Sequence, residues 1–194
     1  MQSFLSYLSK YIQLSPEEEA ILLSKFKHRK YLKGQYIVQN GDVARYQTYI
    51  ISGKVRTFCL DDKGHENIIL FGIENWWVGD LESFIRQSPA DFNTQCLENS
   101  EVMQIRFEDL EQLYKEVPKM ERFFRLIFQS AYANMSKRVV RSYSLPAKER
   151  YLLFCEEYPQ IAKRVPQYMI ASYLGITKEF LSAIRKQIAD EAKS

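Results

Sequence analysis

Residues Ile170-Ala171-Ser172-Tyr173-Leu174-Gly175-Ile176-Thr177-Lys178-Glu179-Phe180-Leu181-Ser182 decide how the C-terminal part of the chain folds. They form two helical runs broken by a glycine. Ala171 is small where two helices have to cross closely, Gly175 tolerates the positive φ of a helix C-cap, and Ile176 plugs the space between the helices. Thr177 is a good N-cap for the second helix, with Phe180, Leu181 and Ile184 expected to face inward. The spacing predicts a helix-turn-helix over about 165–186 whose second helix enters the DNA major groove. Thr177, Lys178, Glu179 and Ser182, at the start of that helix, are then free to reach phosphates and base edges. Arg185 and Lys186 fall nearer the phosphates. Glu179 suits either of two tasks, accepting from a cytosine amino group or stabilising the helix N-terminus. A helical hairpin that binds nothing fits the same spacing, so the charge around it matters.

That charge is uneven. The chain of 194 residues has a formal net charge of +3. Residues 1–117 hold 13 Lys/Arg and 17 Asp/Glu, a formal −4, whereas residues 118–194 hold the remaining 14 Lys/Arg and 7 Asp/Glu, a formal +7. A basic end on an otherwise acidic chain is the distribution expected when that end meets phosphate.

The pattern is helical over Ala147–Tyr158, upstream of the motif, and over Gln167–Leu174 and Lys178–Ala189, its two helices. Before them a long helix is predicted over 118–144, opened by Pro118 and stopped by Leu145-Pro146. Within it Phe124, Phe128, Ala131, Met135, Arg138 and Ser142 recur at spacings of 4, 3, 4, 3 and 4, the seam of a coiled coil. Phe123 and Tyr132 lie off that seam and are expected to pack against the preceding domain. Further upstream, from Tyr31 to Phe107, the period shortens to β-branched and aromatic runs separated by turns at Lys33-Gly34, Asn40-Gly41-Asp42, Ser52-Gly53-Lys54 and Asp61-Asp62-Lys63-Gly64. Strands are clearest at Tyr46–Ile51, Lys54–Leu60, Asn67–Phe71 and Val102–Phe107. Many short strands with frequent turns predict an antiparallel sandwich or barrel. Ahead of it, Ser15 as N-cap, Pro16 at the first position and three glutamates in the first turn predict a helix over 16–26.

Composition, 46% hydrophobic and 26% charged, is that of an ordinary globular protein. No apolar run approaches the roughly 18 to 20 residues needed to span a bilayer. Met1-Gln2-Ser3-Phe4 has no basic segment leading into an apolar core, so no membrane partner and a cytoplasmic location are expected. Cys59, Cys96 and Cys155 form no CxxC pair and read as reduced core thiols, with no metal site. His28, at a basic helix end, and His65, in a hairpin turn, read as surface residues. No nucleophile–base pair or metal cluster supports an enzyme.

Over about residues 10–190 the chain resembles the CRP/FNR superfamily of bacterial transcription regulators. The resemblance rests on Lys33-Gly34, Gly41-Asp42, Ser52-Gly53-Lys54-Val55-Arg56 and Asp62-Lys63-Gly64-His65-Glu66 in the sheet region. It continues in the seamed helix, and in Arg164-Val165-Pro166-Gln167 leading to Leu174-Gly175-Ile176-Thr177-Lys178-Glu179. The variant of these motifs is similar to a branch found widely in Bacteroidetes. The resemblance implies an α+β architecture in three parts: a cyclic-nucleotide-binding-like β-roll (jelly roll) effector domain over 1–117, a dimerisation helix over 118–144, and a helix-turn-helix DNA-binding domain over 145–194. It also implies a homodimer on a double-stranded DNA operator, with RNA polymerase as a further partner and Gln167 among the DNA-contacting residues. The dimer seam would run through Phe124, Phe128, Ala131, Met135 and Arg138.

Several departures from the family pattern matter. Relatives that bind cyclic AMP carry Gly-Glu-Leu and, about ten residues on, Arg-Ser; here Gly79-Asp80-Leu81 is followed by Ala90-Asp91. An acid without the arginine repels phosphate unless Arg86 or Arg106 reaches in. The pocket implied around Gly79, Asp80, Leu81, Ala90 and Asp91 is therefore expected to hold a different small molecule or none. Three cysteines are also one short of an iron–sulfur sensor. In the reading helix, the arginine that many relatives use to read guanine is replaced by Ala183. That leaves an alternative: a ligand-sensing module whose helical tail binds a protein, with DNA binding degenerate. The segment from Glu156 to Pro166 is short for the hairpin wing of better-known relatives.

Overall fold

The computed structural model describes residues 2–192. Two short helices, α1 (Gln2–Leu8) and α2 (Pro16–Lys25), precede a run of eight strands: β1 (Lys27–Tyr31), β2 (Tyr36–Val38), β3 (Tyr46–Ser52), β4 (Val55–Leu60), β5 (Glu66–Gly72), β6 (Trp77–Val78), β7 (Asn93–Cys96) and β8 (Ser100–Arg106). A helix, α3 (Leu81–Arg86), interrupts the strands between β6 and β7. Six further helices follow: α4 (Phe107–Glu116), α5 (Lys119–Ser144), α6 (Ala147–Glu157), α7 (Pro159–Arg164), α8 (Gln167–Leu174) and α9 (Lys178–Glu191). The strands build two four-stranded antiparallel sheets in the orders β1-β8-β3-β6 and β2-β7-β4-β5. This is the expected roll.

Local chemistry explains most of the boundaries. Ser15 and Glu18 close a capping box on α2, the Ser15 hydroxyl accepting from the Glu18 N–H at 3.3 Å and the Ser15 N–H donating to Glu18 at 2.7 Å. The strand expected from Lys54 begins at Val55, because Lys54 belongs to the turn. Its carbonyl accepts from Leu97 at 2.7 Å, and Gly53 sits at φ 110 where an added Cβ would lie 2.3 Å from the Ser100 hydroxyl. His28 is a correction. It lies in β1, not at a helix end, and pairs with Glu101 at 3.0 Å. A strand reading KHRKY with nearly every side chain exposed has no apolar alternation to betray it, and the edge of a sheet tolerates such charges. Helices α1 and α3 had no signal either: each is less than two turns long, too short for a period to register.

Three cores hold the molecule. Helices α1, α2, α4 and the start of α5 cover one sheet, with Phe4 against Phe26 and Tyr49 at 4.9 and 4.8 Å between ring centroids and Trp77 against Phe124 at 4.9 Å. Ile50, Val55, Val78 and Cys96 fill the space between the sheets. The second sheet turns Phe58, Ile68 and Phe71 toward Phe154, Ile161, Val165, Met169 and Ile170, so one apolar cluster joins roll to helical end.

Candidate nucleic-acid interface

The helix-turn-helix is built as its residues require. α8 ends at Gly175, in the left-handed region at φ 67, whose N–H donates to Ser172 at 3.0 Å while that of Ile176 donates to Ala171 at 3.0 Å. Thr177 then caps α9, its hydroxyl accepting from the Phe180 N–H at 3.1 Å. Ala171, Leu174, Leu181 and Ile184 are buried between the helices. Thr177, Lys178, Glu179, Ser182, Ala183, Arg185 and Lys186 are all exposed, so the residues expected to meet DNA share one helix and its cap. Gln167 is different. It is half-buried at the first position of α8, with its side-chain oxygen buried and lacking a hydrogen bond. Phe180 is a correction. It is 52% exposed, because Leu181 and Ile184, three residues apart, already fill the inward stripe and Phe180 is rotated about 100° from Leu181. Arg185 borders Tyr151, whose hydroxyl is raised first by burial and then by Cys155, while Arg185 pulls it the other way.

The segment from Glu156 to Pro166, short for a hairpin wing, is mostly helical, since α7 fills it. From there a polar clamp ties helices to roll. Arg164 grips Glu74 at 2.9 and 3.2 Å and Glu98 at 2.5 Å, while Lys54 pairs with Glu98 at 3.3 Å and donates to the Arg164 carbonyl at 2.5 Å. Strand β5 is a sheet edge, and edges leave backbone groups unpaired. Ser172 of α8 covers this one, accepting from the Ile68 N–H at 3.0 Å and donating to the Glu66 carbonyl at 2.8 Å. Arg138 donates to the carbonyls of Ile69 and Tyr173, with its guanidinium 3.9 Å from the Tyr173 ring centroid.

Arg138 therefore faces inward, away from the seam expected on α5. Phe124 is buried against Trp77 and Tyr114, and Phe128 is half-buried beside it. Ala131 and Met135 are exposed, and so are Tyr132 (76%), Val139, Val140 and Tyr143 (88%). Tyr132 is thus not packed on the sheet domain. Phe123 is fully buried there.

In the region expected to hold an effector, Asp80 serves the fold. It is 3% exposed, caps α3 by accepting from Ser83 at 3.0 Å, and accepts from the Asp91 and Phe92 N–H groups at 2.9 and 3.2 Å. Ala90 is buried, bonded through its backbone to Gly41 and Asp42 at 2.8 Å each, while Leu81 and Asp91 are exposed and Gly79 sits at φ 135. No missing arginine is supplied. Arg86 pairs with Glu82 at 3.1 Å, and Arg106 donates to the Tyr46 hydroxyl at 3.3 Å. A cleft of about 180 Å³ opens nearby instead, lined by Tyr36, Val38, Asp42, Arg45 and Tyr46 among others. Among the described residues no group of three or more His, Cys, Asp or Glu is placed to hold a metal ion, and no helix is long and apolar enough to cross a membrane.

Residues 28–117 match the cyclic nucleotide-binding domain family. The chain is 25% identical over 163 residues to the regulatory protein HlyX of Actinobacillus pleuropneumoniae, covering 78% of this chain and 67% of that protein. It is 24% identical to the transcriptional activator protein Anr of Pseudomonas protegens, covering 78% and 66%. The chain thus spans about two thirds of the length of these relatives. Among solved structures it superposes with a TM-score of 0.75 on the c-di-GMP-responsive global regulator CLP of Xanthomonas campestris, at 17% identity and covering 92% and 93% of the two chains. On FixK2 of Bradyrhizobium japonicum the score is 0.71, at 16% identity and 86% of each chain.

Proposed function

We propose that this chain, a member of the CRP/FNR superfamily of regulators, binds double-stranded DNA as a homodimer and regulates transcription. One observation carries the reading: the capped first turn of α9 holds its polar and basic side chains out to solvent on the half of the chain with a formal +7. Two such helices joined through α5 would lie one DNA turn, about 34 Å, apart in successive major grooves of a near-palindromic operator. The exposed run Tyr132, Met135, Val139 and Tyr143 supports α5 as the joining surface, because apolar groups of that size gain from burial. The roll is a poor fit for cyclic AMP, since the Asp80 carboxylate is already engaged and Arg86 and Arg106 pair with Glu82 and Tyr46. A regulator of this kind works on the chromosome in the cytoplasm, beside RNA polymerase.

Titration of promoter DNA by fluorescence anisotropy tests the reading. Binding to a preferred site should exceed binding to bulk DNA at physiological salt by at least about 10³-fold. Lys178→Ala should weaken the preferred site more than bulk DNA, whereas Arg185→Ala should weaken all sites and lower the salt slope by about 1. Equal affinity for every duplex would overturn the proposal and favour a protein partner for the helical end.

A further inference from the structure

The base-reading chemistry of α9 is unusual in what it exposes. Phe180 sits in the first turn, half in solvent, and stacks on no other ring among the described residues. It is not needed inside, where Leu181 and Ile184 already occupy the buried stripe. One turn further on the same flank is Ala183, also exposed, and residues three apart on a helix are neighbours. The polar readers around this pair are few. The Thr177 hydroxyl already accepts from the Phe180 N–H, and Arg185 lies on the opposite flank beside Tyr151. Lys178, Glu179 and Ser182 remain in the first two turns, with Lys186 and Gln187 a turn further on.

We propose that Phe180 and Ala183 form an apolar facet that reads the C5-methyl groups of thymine in the major groove, making A·T pairs the bases specified beneath the start of α9. The inference rests on α9 being the DNA-reading helix. Thymine carries the only apolar group that a base pair shows in that groove, and Phe and Ala are side chains suited to touch it. Beyond the thymine O4, A·T also presents the adenine amino group, and Glu179, exposed one residue before Phe180, is an acceptor for it. The carboxylate can accept from a cytosine amino group as well, so it is the methyl contact that favours A·T. Ala183 then has a positive role. A short side chain there lets the methyl approach the helix, where a long one would hold it off.

The experiment begins with selection of preferred sites from a randomised duplex pool by the full chain. The selected duplex is then compared with a copy in which every thymine is replaced by uracil, which removes only the methyl. Affinity should fall about fourfold for each methyl contacted. Phe180→Ala should lose most of the difference between the two duplexes while keeping its salt slope, and Phe180→Leu should restore part of it. A selected site whose uracil copy binds as tightly overturns the facet and leaves α9 as a reader by other groups. So does a Phe180→Ala variant that discriminates as strongly as the parent. A pool that yields no preferred sequence overturns the reading of α9 itself, and the facet with it.

Discussion

Asp80 shows how one residue's chemistry depends on partners far along the chain. Read in its tripeptide it is an acid facing a phosphate site, yet its oxygens bind N–H groups of Ser83, Asp91 and Phe92. The last two lie 11 and 12 residues away, beyond any local pattern. Asp80→Ala should cost about 2–4 kcal/mol in urea unfolding, since three N–H groups lose a charged acceptor inside the fold. Asp80→Asn, which keeps an acceptor oxygen, should cost less than half of that. Gly175, by contrast, was legible: a left-handed residue after an apolar helix needs no Cβ, and open space surrounds it. Gly175→Ala should therefore cost only about 1 kcal/mol, through backbone strain alone. Phe180 was misread because leucine, isoleucine and phenylalanine look equally apolar in sequence, and only the angle around α9 separates them.

Among the elements, α5 divides its labour along its length. Its first turns are core, with Met120, Phe123 and Phe124 buried, while beyond Phe128 large apolar side chains lie open. A seam read by counting sevens included Phe124 and Arg138, but the helix gives the former to the roll and the latter to Tyr173 and β5. The open surface instead follows Tyr132, Met135, Val139 and Tyr143. Met135→Glu should yield a monomer in sedimentation velocity at micromolar concentration with helical content unchanged, because the glutamate meets solvent in the monomer but its own copy in a dimer. Edge strand β5 was foreseen as a strand, not as an edge. Which side of a strand lacks a neighbour is settled by sheet order, and here Ser172 and Arg138 take the vacant side.

Over the whole molecule, roll and helical end are joined by the Phe58–Phe154 cluster and by the clamp of Arg164, Glu74, Glu98 and Lys54. Partial burial raises the Glu74 carboxyl, but the bonds from Arg164 and from backbone N–H groups outweigh it and hold it below the usual glutamate range. A depressed folded value stabilises the docked arrangement above the unfolded glutamate value, about 4.3, and loses that contribution as pH falls through the folded one. Distance measurements between labels on roll and α9 should thus be flat from neutral pH down to about 5 and lengthen in more acid solution. Arg164→Ala should lengthen them at neutral pH and reduce their response to acid. Sequence alone determined the architecture of strands followed by helices, the capped helix-turn-helix, and the charge contrast between the two ends, because periodicity, caps and net charge are properties of neighbouring residues. Tertiary structure alone decided that Asp80 is bound, that Arg138 faces inward, that Phe180 faces out and that Ser172 seals β5. Each of these depends on which distant backbone group or side chain arrives beside the residue, and hydrogen bonding and burial are set by that arrival, not by the residue's own identity.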